Sequence, residues 1–284
     1  MVFTHKRIGL VANFEKKEVR TLIPKLELFC RKKGWKLEKV STEKELKKFD
    51  FLLALGGDGT ILKTARYAQP QGLPLLGINI GSLGFLACGE KKNLYQILQS
   101  VSEGKYTLEE RAMLRVEVHR AKKKINQSLG MNQSGSYLAL NDCVFRNPHS
   151  ARTINLELKI DSQFVTRYLG DGLIISTPTG STAYNLAAGG PLVSPELPVF
   201  VLTPICPHSL TLRPLIIPQE VKITIRIVSN DTPVLLSLDG QEETNLRIGD
   251  EVTVRKIEKN IRFILPQGRK ERYFPLLRNK FKWG

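Results

Sequence analysis

Residues 56–60, with the sequence GGDGT, place one carboxylate among glycines directly after the apolar run 51–55. Glycines tolerate positive φ and let a backbone come close to a phosphate, and the start of a following helix offers unpaired N–H donors to an anion. The one charged residue of this loop is nevertheless an acid, Asp58, which would repel phosphate. A proton-transfer role or a divalent cation would explain its position. We therefore interpret Asp58 as a residue that takes part in chemistry.

A second polar stretch has the sequence DGLIISTPTGSTAY at residues 171–184. Its apolar part predicts a strand that leads into a glycine-containing turn and a short helix beginning near Ser181. The hydroxyl side chains and helix N–H groups of this run would suit a polyanion or a sugar edge, and Tyr184 adds an aromatic face. Ser181 lacks the flanking glycines of a nucleophile elbow and has no histidine nearby. The sequence therefore argues against a serine hydrolase.

The elements around the GGDGT loop predict a parallel sheet. Residues 51–55 are predicted to be a buried strand, and residues 61–68 a helix with Thr60 as its N-cap. Residues 74–78 predict another strand, which leads into a second glycine-punctuated loop, NIGSLGF at residues 79–85. Ligands of such sheets bind beyond the carboxyl ends of the strands, so both loops are expected to face one crevice.

The pattern of strands alternating with helices changes near residue 107. Short alternating or β-branched runs follow, which predict a strand-rich domain. The predicted fold class is α/β, with an N-terminal doubly wound parallel-sheet domain at residues 1–106 and a β-rich, β-sandwich-like domain at residues 107–265. Residues 266–284 are predicted to dock back on the first domain through an apolar face formed by Phe274, Leu277 and Phe281 with Leu276.

The amino-acid composition predicts which kinds of partner the protein binds and in which part of the cell it works. The formal net charge is +16, but most of the excess basic residues lie in residues 1–50 and 255–284. These basic ends lack aromatic interleaving of the kind that stacks bases, so a solvated basic face is favoured over nucleic-acid binding. The four cysteines and four histidines show no paired metal or redox spacing, and no apolar run is long enough to span a membrane. We expect a cytoplasmic protein with no nucleic-acid and no membrane partner.

Taken together, these motifs resemble the NAD kinase family over about residues 51–241 and in that family's order. GGDG alone is shared with diacylglycerol and sphingoid lipid kinases, but the STPTGSTAY run is far more specific. The matching motifs are GGDGT at residues 56–60, NxGxLGF at 79–85, an Asn-acid pair at 141–142, DGLIxSTPTGSTAY at 171–184, AGGP at 188–191, and the stretches 208–214 and 239–241.

The resemblance implies transfer of a phosphoryl group from ATP, or in some members inorganic polyphosphate, to the 2′-hydroxyl of the adenosine ribose of NAD, giving NADP. It implies NAD and ATP as partners, Mg²⁺ or another divalent cation as cofactor, and a homodimer or homotetramer. Asp58 would take the proton of the 2′-hydroxyl. A carboxylate is too weak a base to remove that proton outright, so it would accept it as the bond to phosphorus forms.

The resemblance also assigns binding residues. Asn141 and Asp142 would hold the adenosine ribose and base, and Asp171 the nicotinamide carboxamide. Lys63 and Arg152 are the cations best placed for phosphates, although Lys63 also suits a plain surface position on a helix. The other predicted NAD contacts are Asp58, Gly59, Phe85, Thr182, Ala183, Tyr184, Asn185, Leu186, Ala187 and Gln241.

Two positions depart from the family pattern, and the role of a third position is open. Phe85 suits either an aromatic surface for a ring of the dinucleotide or a buried core position. Asp142 stands where the family usually has Glu, so its reach is about 1.5 Å shorter. Leu169 stands where a basic residue is common, with Arg167 two residues earlier on the same strand face. The last two departures bear on affinity more than on activity.

Two other functions remain open from the sequence. A lipid kinase of the GGDG superfamily would use the basic ends at anionic membranes, but it calls for an apolar groove, whereas residues 171–185 offer hydroxyls, amides and acids. A basic nucleotide- or nucleic-acid-binding protein would keep the pocket without catalysis. The acid between glycines at position 58 favours chemistry over this second alternative.

Overall fold

The computed structural model of the chain describes residues 6–40, 46, 48–81, 84–121, 135–148, 153–229, 233–267 and 273–283. These residues belong to two compact units: Met1–Arg111 together with Lys259–Gly284, and Ala112–Glu258. The first unit contains a mostly parallel sheet with helices, and the second an antiparallel sheet. The predicted fold class is confirmed.

Elements are numbered in chain order. The strands of the first unit are β1 (Arg7–Ala12), β2 (Lys36–Lys39), β3 (Phe51–Gly56), β4 (Leu75–Asn79), β5 (Gly89–Glu90), β6 (Tyr106–Arg111) and β18 (Ile261–Pro266). Its α-helices are α1 (Lys17–Lys32), α2 (Asp58–Ala68), α3 (Leu94–Ser102) and α5 (Tyr273–Phe281). The sheet has the order β2-β1-β3-β4-β18-β6, and β5 pairs with β4.

Helices cover both faces of this sheet, as in a doubly wound fold. Buried residues of α1 and α3 at helical spacing pack on one face. On the other face, Ile61 of α2 lies against Gly77 of β4. Both faces of β3 are therefore covered, which explains why its residues are apolar without alternation and all buried.

The boundary between the two units differs from the sequence-based division at residues 106 and 265. Strand β6 pairs along its length with β18 in the first sheet, and β18 also pairs with β4. Both strands therefore belong to the first unit, which includes residues up to Arg111 and from Lys259 onward. A strand-like pattern in the sequence shows that a strand forms, but it carries no information on which sheet the strand joins.

The C-terminal residues also belong to the first unit. Leu277 of α5 is buried, and the ring of Phe281 lies 5.8 Å from the ring of Phe85. Phe274, which was expected on the same apolar face, is 73% exposed. Residues 268–272, at the start of the predicted docking segment, lie outside the described residues.

The second unit has strands β7 (Leu114–His119), β8 (Ser136–Ala139), β9 (Asp142–Arg146), β10 (Ile154–Ile160), β11 (Gln163–Ser176), β12 (Val199–Pro207), β13 (Leu215–Pro218), β14 (Ile223–Ser229), β15 (Val234–Leu238), β16 (Glu242–Leu246) and β17 (Glu251–Lys256). Its single short α-helix within the described residues is α4 (Tyr184–Ala187). The strands form one sheet with the order β16-β15-β9-β11-β10-β14-β17-β7-β8, extended by β12 and β13 from β11.

Alternation of buried and exposed residues builds the core of this sheet. β7 and β10 show it clearly, with Val116, Val118, Leu156 and Leu158 buried between more exposed neighbours. In both units, none of the described helices has the length and apolarity needed to cross a membrane.

Candidate active site

Asp58 is the first residue of helix α2, and the loop after β4 holds its carboxylate. The backbone N–H of Phe85 donates to Oδ2 at 2.9 Å, and the N–H of Leu86 donates to Oδ1 at 3.3 Å. Strands β3 and β4 are neighbours in register, with Gly56 opposite Asn79, so their following loops meet at one edge of the sheet. The GGDGT and NxGxLGF loops thus lie together, as the sequence predicts.

Gly84 allows this approach. A Cβ atom at residue 84 would lie 1.9 Å from Oδ1 of Asp58, well inside van der Waals contact. The motif contains this glycine, but neither Gly84 nor Leu86 was predicted as a site residue, because their partner is far away in the sequence.

Two expectations about the GGDGT loop are wrong. Thr60 lies inside the first turn of α2, whose N-cap is Gly57. The loop glycines do not use positive φ, since none is among the described glycines with that conformation. Gly57 is extended, and a Cβ there would meet no atom of the described residues within 4 Å. Its missing side chain therefore leaves open surface directly beside Asp58.

The remaining predicted NAD contacts of the first unit are Phe85, Gly59 and Lys63. The half-buried Phe85 packs its ring against Phe281, with Nζ of Lys280 5.7 Å from the ring centroid, so both of its proposed roles stay open. Gly59 is exposed in the first turn of α2. Lys63 is exposed, with Nζ 5.6 Å from the ring of Tyr67 on its own helix. Arg152 lies outside the described residues.

The second unit contains a pocket of about 400 Å³ that includes four of the predicted residues, Asn141, Asp142, Ala183 and Tyr184. Polar and charged residues make up most of its lining, which differs from the apolar groove expected of a lipid kinase. The other lining residues are Val144, Arg146, Ser237, Asp239, Gly240 and Glu243.

Residues 140–142, the turn between β8 and β9, are anchored by Asp239. Its carboxylate accepts the backbone N–H of Leu140 at 3.0 Å, of Asn141 at 2.7 Å and of Asp142 at 3.3 Å. In return the N–H of Asp239 donates to the carbonyl of Asp142 at 3.0 Å. The sequence motif DGQ did not identify this role, because a turn between two strands is the simplest interpretation of Asp-Gly.

Asp142 presents an available acceptor to the pocket. Asp142 is 4% exposed, and no described group donates a hydrogen bond to its carboxylate. Burial, and secondarily the nearby charge of Asp239, raises the pKa of Asp142 to about 7. Oδ1 of Asn141 is also buried and has no partner among the described residues. These two side chains would accept hydrogen bonds from a ligand that carries hydroxyl or amino groups.

Most hydroxyl side chains of the STPTGSTAY run do not face this pocket, so that expectation is wrong. Ser176, Thr177 and Ser181 are fully buried and donate to backbone carbonyls of Asn141, Leu140 and Val193. The hydrogen bonds of Ser176 and Thr177 tie this run to the 140–142 turn, whereas that of Ser181 reaches Val193. A buried hydroxyl needs such a partner inside the protein. The run therefore supports the pocket more than it lines it.

Gly180 shows how closely these two segments approach. A Cβ atom at residue 180 would lie 2.1 Å from the carbonyl oxygen of Asn141. Asn185 is also part of the support: it is fully buried, its amide donates to Ser181 and Pro191, and it accepts from Thr203. The structure thus places Asn185 behind the pocket wall.

The remaining predicted residues lie outside the pocket lining. Thr182 and Leu186 are half-buried, whereas Ala187 and Gln241 are exposed. Asp171 is exposed on β11 and accepts a hydrogen bond from the thiol of Cys206, which raises the pKa of that thiol. No group of three His, Cys, Asp or Glu side chains within the described residues could hold a metal ion.

Family models and individual relatives agree on the family of this chain. Residues 11–106 match the ATP-NAD kinase N-terminal domain, and residues 140–265 match the ATP-NAD kinase C-terminal domain. The NAD kinase of Moorella thermoacetica is 43% identical over 98% of this chain and 90% of its own length. That of Geotalea daltonii is 42% identical over 83% of this chain and 79% of its own length.

Two solved structures are also similar. The crystal structure of yeast NADH kinase complexed with NADH has a TM-score of 0.86 and 26% identity, covering 99% of this chain and 88% of that one. The NAD kinase from Archaeoglobus fulgidus in complex with ATP has a TM-score of 0.76 and 28% identity, covering 96% and 98% of the two chains. With both domain models matched and relatives above 40% identity, this chain belongs to the NAD kinase family.

Proposed function

We propose that the chain transfers the terminal phosphoryl group of ATP to the 2′-hydroxyl of the adenosine ribose of NAD, with Asp58 accepting the proton. The observation that carries the role of Asp58 is its fixed carboxylate beside an open surface. Two backbone N–H groups hold the carboxylate, and Gly57 leaves free the space next to it. A fixed acceptor with open access is what a general base requires.

In this mechanism Asp58 accepts the proton while the oxygen of the ribose bonds to phosphorus. The O–H bond breaks, the new O–P bond forms, and the bond from phosphorus to the leaving ADP oxygen breaks. Each carboxylate oxygen accepts one N–H, which leaves further lone pairs for the hydroxyl proton. Because phosphoryl transfer depends mainly on alignment, the fixed position of Asp58 contributes together with its basicity.

The pocket of the second unit is proposed to hold the adenosine part of NAD. Ribose hydroxyls and the adenine amino group are hydrogen-bond donors, and the pocket offers the side-chain oxygens of Asn141 and Asp142 as acceptors. Oδ1 of Asn141 has no donor among the described residues. Tyr184, which is 44% exposed at the same pocket, offers an aromatic face for a base. The yeast NADH kinase and Archaeoglobus fulgidus NAD kinase complexes support NADH-like and ATP ligands for this fold.

The divalent cation is proposed to enter as part of the ATP substrate. The described residues contain no cluster of three metal-ligating side chains, so the phosphates would supply most of its ligands. When bound, Mg²⁺ would neutralise phosphate charge during transfer. Inorganic polyphosphate is the alternative donor.

A homodimer or homotetramer that works in the cytoplasm, without a nucleic-acid or membrane partner, is also proposed. Exposed apolar side chains in the second unit support self-association, among them Leu210 at 87% and Ile216 at 52%. Sedimentation of the purified chain would measure its assembly state, and a strictly monomeric protein would contradict this part of the proposal.

The reaction is tested by incubating the purified chain with NAD, ATP and Mg²⁺ and measuring NADP with a dehydrogenase specific for the phosphorylated cofactor. We expect NADP to form and its formation to stop when a chelator removes the cation. NAD binding without NADP formation, from either ATP or polyphosphate, would favour a binding protein. Phosphorylation of a lipid without NAD binding would favour the lipid kinase.

NAD binding is expected to strengthen about tenfold between pH 6 and pH 8. The ionised carboxylate of Asp142 accepts hydrogen bonds from the ribose, and burial raises the pKa of this group to about 7. Below that pH the free protein carries a proton that NAD must displace, so affinity rises with pH and then levels off. Calorimetry at each pH measures the affinity for NAD. Repeating it in buffers of different ionisation enthalpy also reports whether a proton is released on binding.

The matched control for this pH dependence is Asp142→Asn, which keeps the shape of the side chain but cannot ionise. Its NAD affinity is expected to be lower and nearly constant from pH 6 to pH 8. An unchanged pH profile in this variant would show that another group titrates.

A further inference from the structure

The turn between β15 and β16 presents a second buried carboxylate at the pocket that holds Asp142. Asp239 and Gly240 form this turn with φ values of 52° and 63°. Positive φ at both central residues is typical of primed hairpin turns, for which Asp-Gly is a favoured sequence. The tight turn points the Asp239 carboxylate back toward residues 140–142, where it accepts three backbone N–H groups.

These three hydrogen bonds fix the backbone of the proposed ribose-binding residues. Asp239 is 9% exposed, so its contacts are shielded from water and are worth more than at the surface. The 140–142 turn is held from the other side by Thr177, whose N–H donates to the carbonyl of Asn141 at 2.9 Å. Asp239 and Thr177 therefore hold this turn from two sides, and we call their hydrogen bonds to it the clamp.

The Asp239 carboxylate also adds a negative charge next to Asp142. The other charged residues that line the same pocket are Arg146 on β9 and Glu243 on β16, which pair with each other at 3.2 Å. Their opposite charges largely cancel. The negative charge of Asp239 lies beside Asp142 and contributes, after burial, to raising the pKa of Asp142.

We infer that Asp239 is a positioning residue for NAD binding, which orients Asn141 and Asp142 and whose charge moves the range in which Asp142 binds the ribose to higher pH. The inference rests on the proposed function of the pocket. It makes Asp239 a determinant of affinity that acts through its neighbours, without contact to the reacting atoms.

The first test is Asp239→Asn. The amide has the shape of the carboxylate but only one acceptor oxygen, so part of the clamp is lost, and the negative charge is removed. We expect the Kd for NAD to rise about tenfold or more. We also expect the midpoint of its pH dependence to move to lower pH, because Asp142 loses a like-charged neighbour. Turnover at saturating NAD should change little.

Asp250→Asn is the matched control. Asp250 is also a buried aspartate of the second unit: it accepts the N–H groups of Ala121 and Arg247 at 3.0 Å each and pairs with Arg120 at 2.8 Å. It does not line the pocket. Both variants should lower the melting temperature, but only Asp239→Asn should move the pH midpoint of NAD binding. The same midpoint in Asp239→Asn and in the unmodified chain would overturn the inference.

Asp239→Glu provides a second test that keeps the charge. The longer side chain carries the carboxylate about 1.5 Å further along, so the clamp cannot form in the same way. We expect weaker NAD binding with the pH midpoint near that of the unmodified chain. Unmodified NAD affinity in folded Asp239→Glu would overturn the positioning role. Failure of the unmodified chain to bind NAD would instead overturn the proposed function itself.

Discussion

Replacement of Asp58 by asparagine is expected to lower the turnover number by about 10²- to 10⁴-fold, the range typical of the loss of a general base. The amide can still accept one of the two N–H groups of Phe85 and Leu86, but it cannot take the proton of the 2′-hydroxyl. NAD binding should remain nearly intact, because the proposed adenosine pocket belongs to the second unit.

NADP formation at saturating substrates and NAD binding by calorimetry separate these two effects. Asp50→Asn is the control in the same unit, since Asp50 also accepts a backbone N–H, that of Arg7 at 2.7 Å, at the opposite end of β3. It should leave turnover unchanged. Equal turnover in Asp58→Asn and the unmodified chain would remove Asp58 from the mechanism.

Gly84→Ala is expected to reduce turnover by about 10²-fold, although it leaves every polar group of the site in place. The new methyl group would lie 1.9 Å from Oδ1 of Asp58, so either the carboxylate or the loop has to move. A displacement of this kind misaligns the proton acceptor with the attacking hydroxyl, and catalysis depends steeply on that alignment.

Gly81→Ala in the same loop separates this effect from a general loss of loop flexibility. Among the described residues, a Cβ atom at residue 81 would have only Oδ1 of Asn79 within 4 Å, at 3.9 Å, an ordinary contact. Its turnover should stay near that of the unmodified chain, as measured in the NADP assay with both variants at the same folded concentration. Similar turnover in the two variants would contradict the role of Gly84 in placing Asp58.

The sequence predicted the order of strand, loop and helix around Asp58, although not the N-cap of the helix, because the information for this order is local. A buried apolar run, a glycine-rich loop and an amphipathic helix follow one another within residues 51–68, and parallel strands bring their carboxyl ends to one edge. The contact of this loop with residues 84–86 could be expected for the same reason. Which atoms would meet was not predictable, since it depends on the missing side chain of Gly84.

The pocket of the second unit was predicted only in part. Asn141, Asp142, Ala183 and Tyr184 line it, but the anchoring role of Asp239 depends on a contact between strands about 100 residues apart, which periodicity does not reveal. Hydroxyl residues such as Ser176 were assigned to the ligand because hydroxyls suit sugars. In the structure they satisfy buried carbonyl groups, a need that becomes visible only once the backbone is folded.

The position of β18 between β4 and β6 has a consequence for the order of events during synthesis. At about 5–20 residues per second, β6 leaves the ribosome roughly eight to thirty seconds before its partner strand. The second unit can close earlier, because both of its ends meet where the N–H of Ile257 donates to the carbonyl of Met113 at 3.0 Å. A nascent chain therefore completes the inserted unit first, while β4 still lacks its β18 partner at Leu75 and has only β3 and β5 beside it.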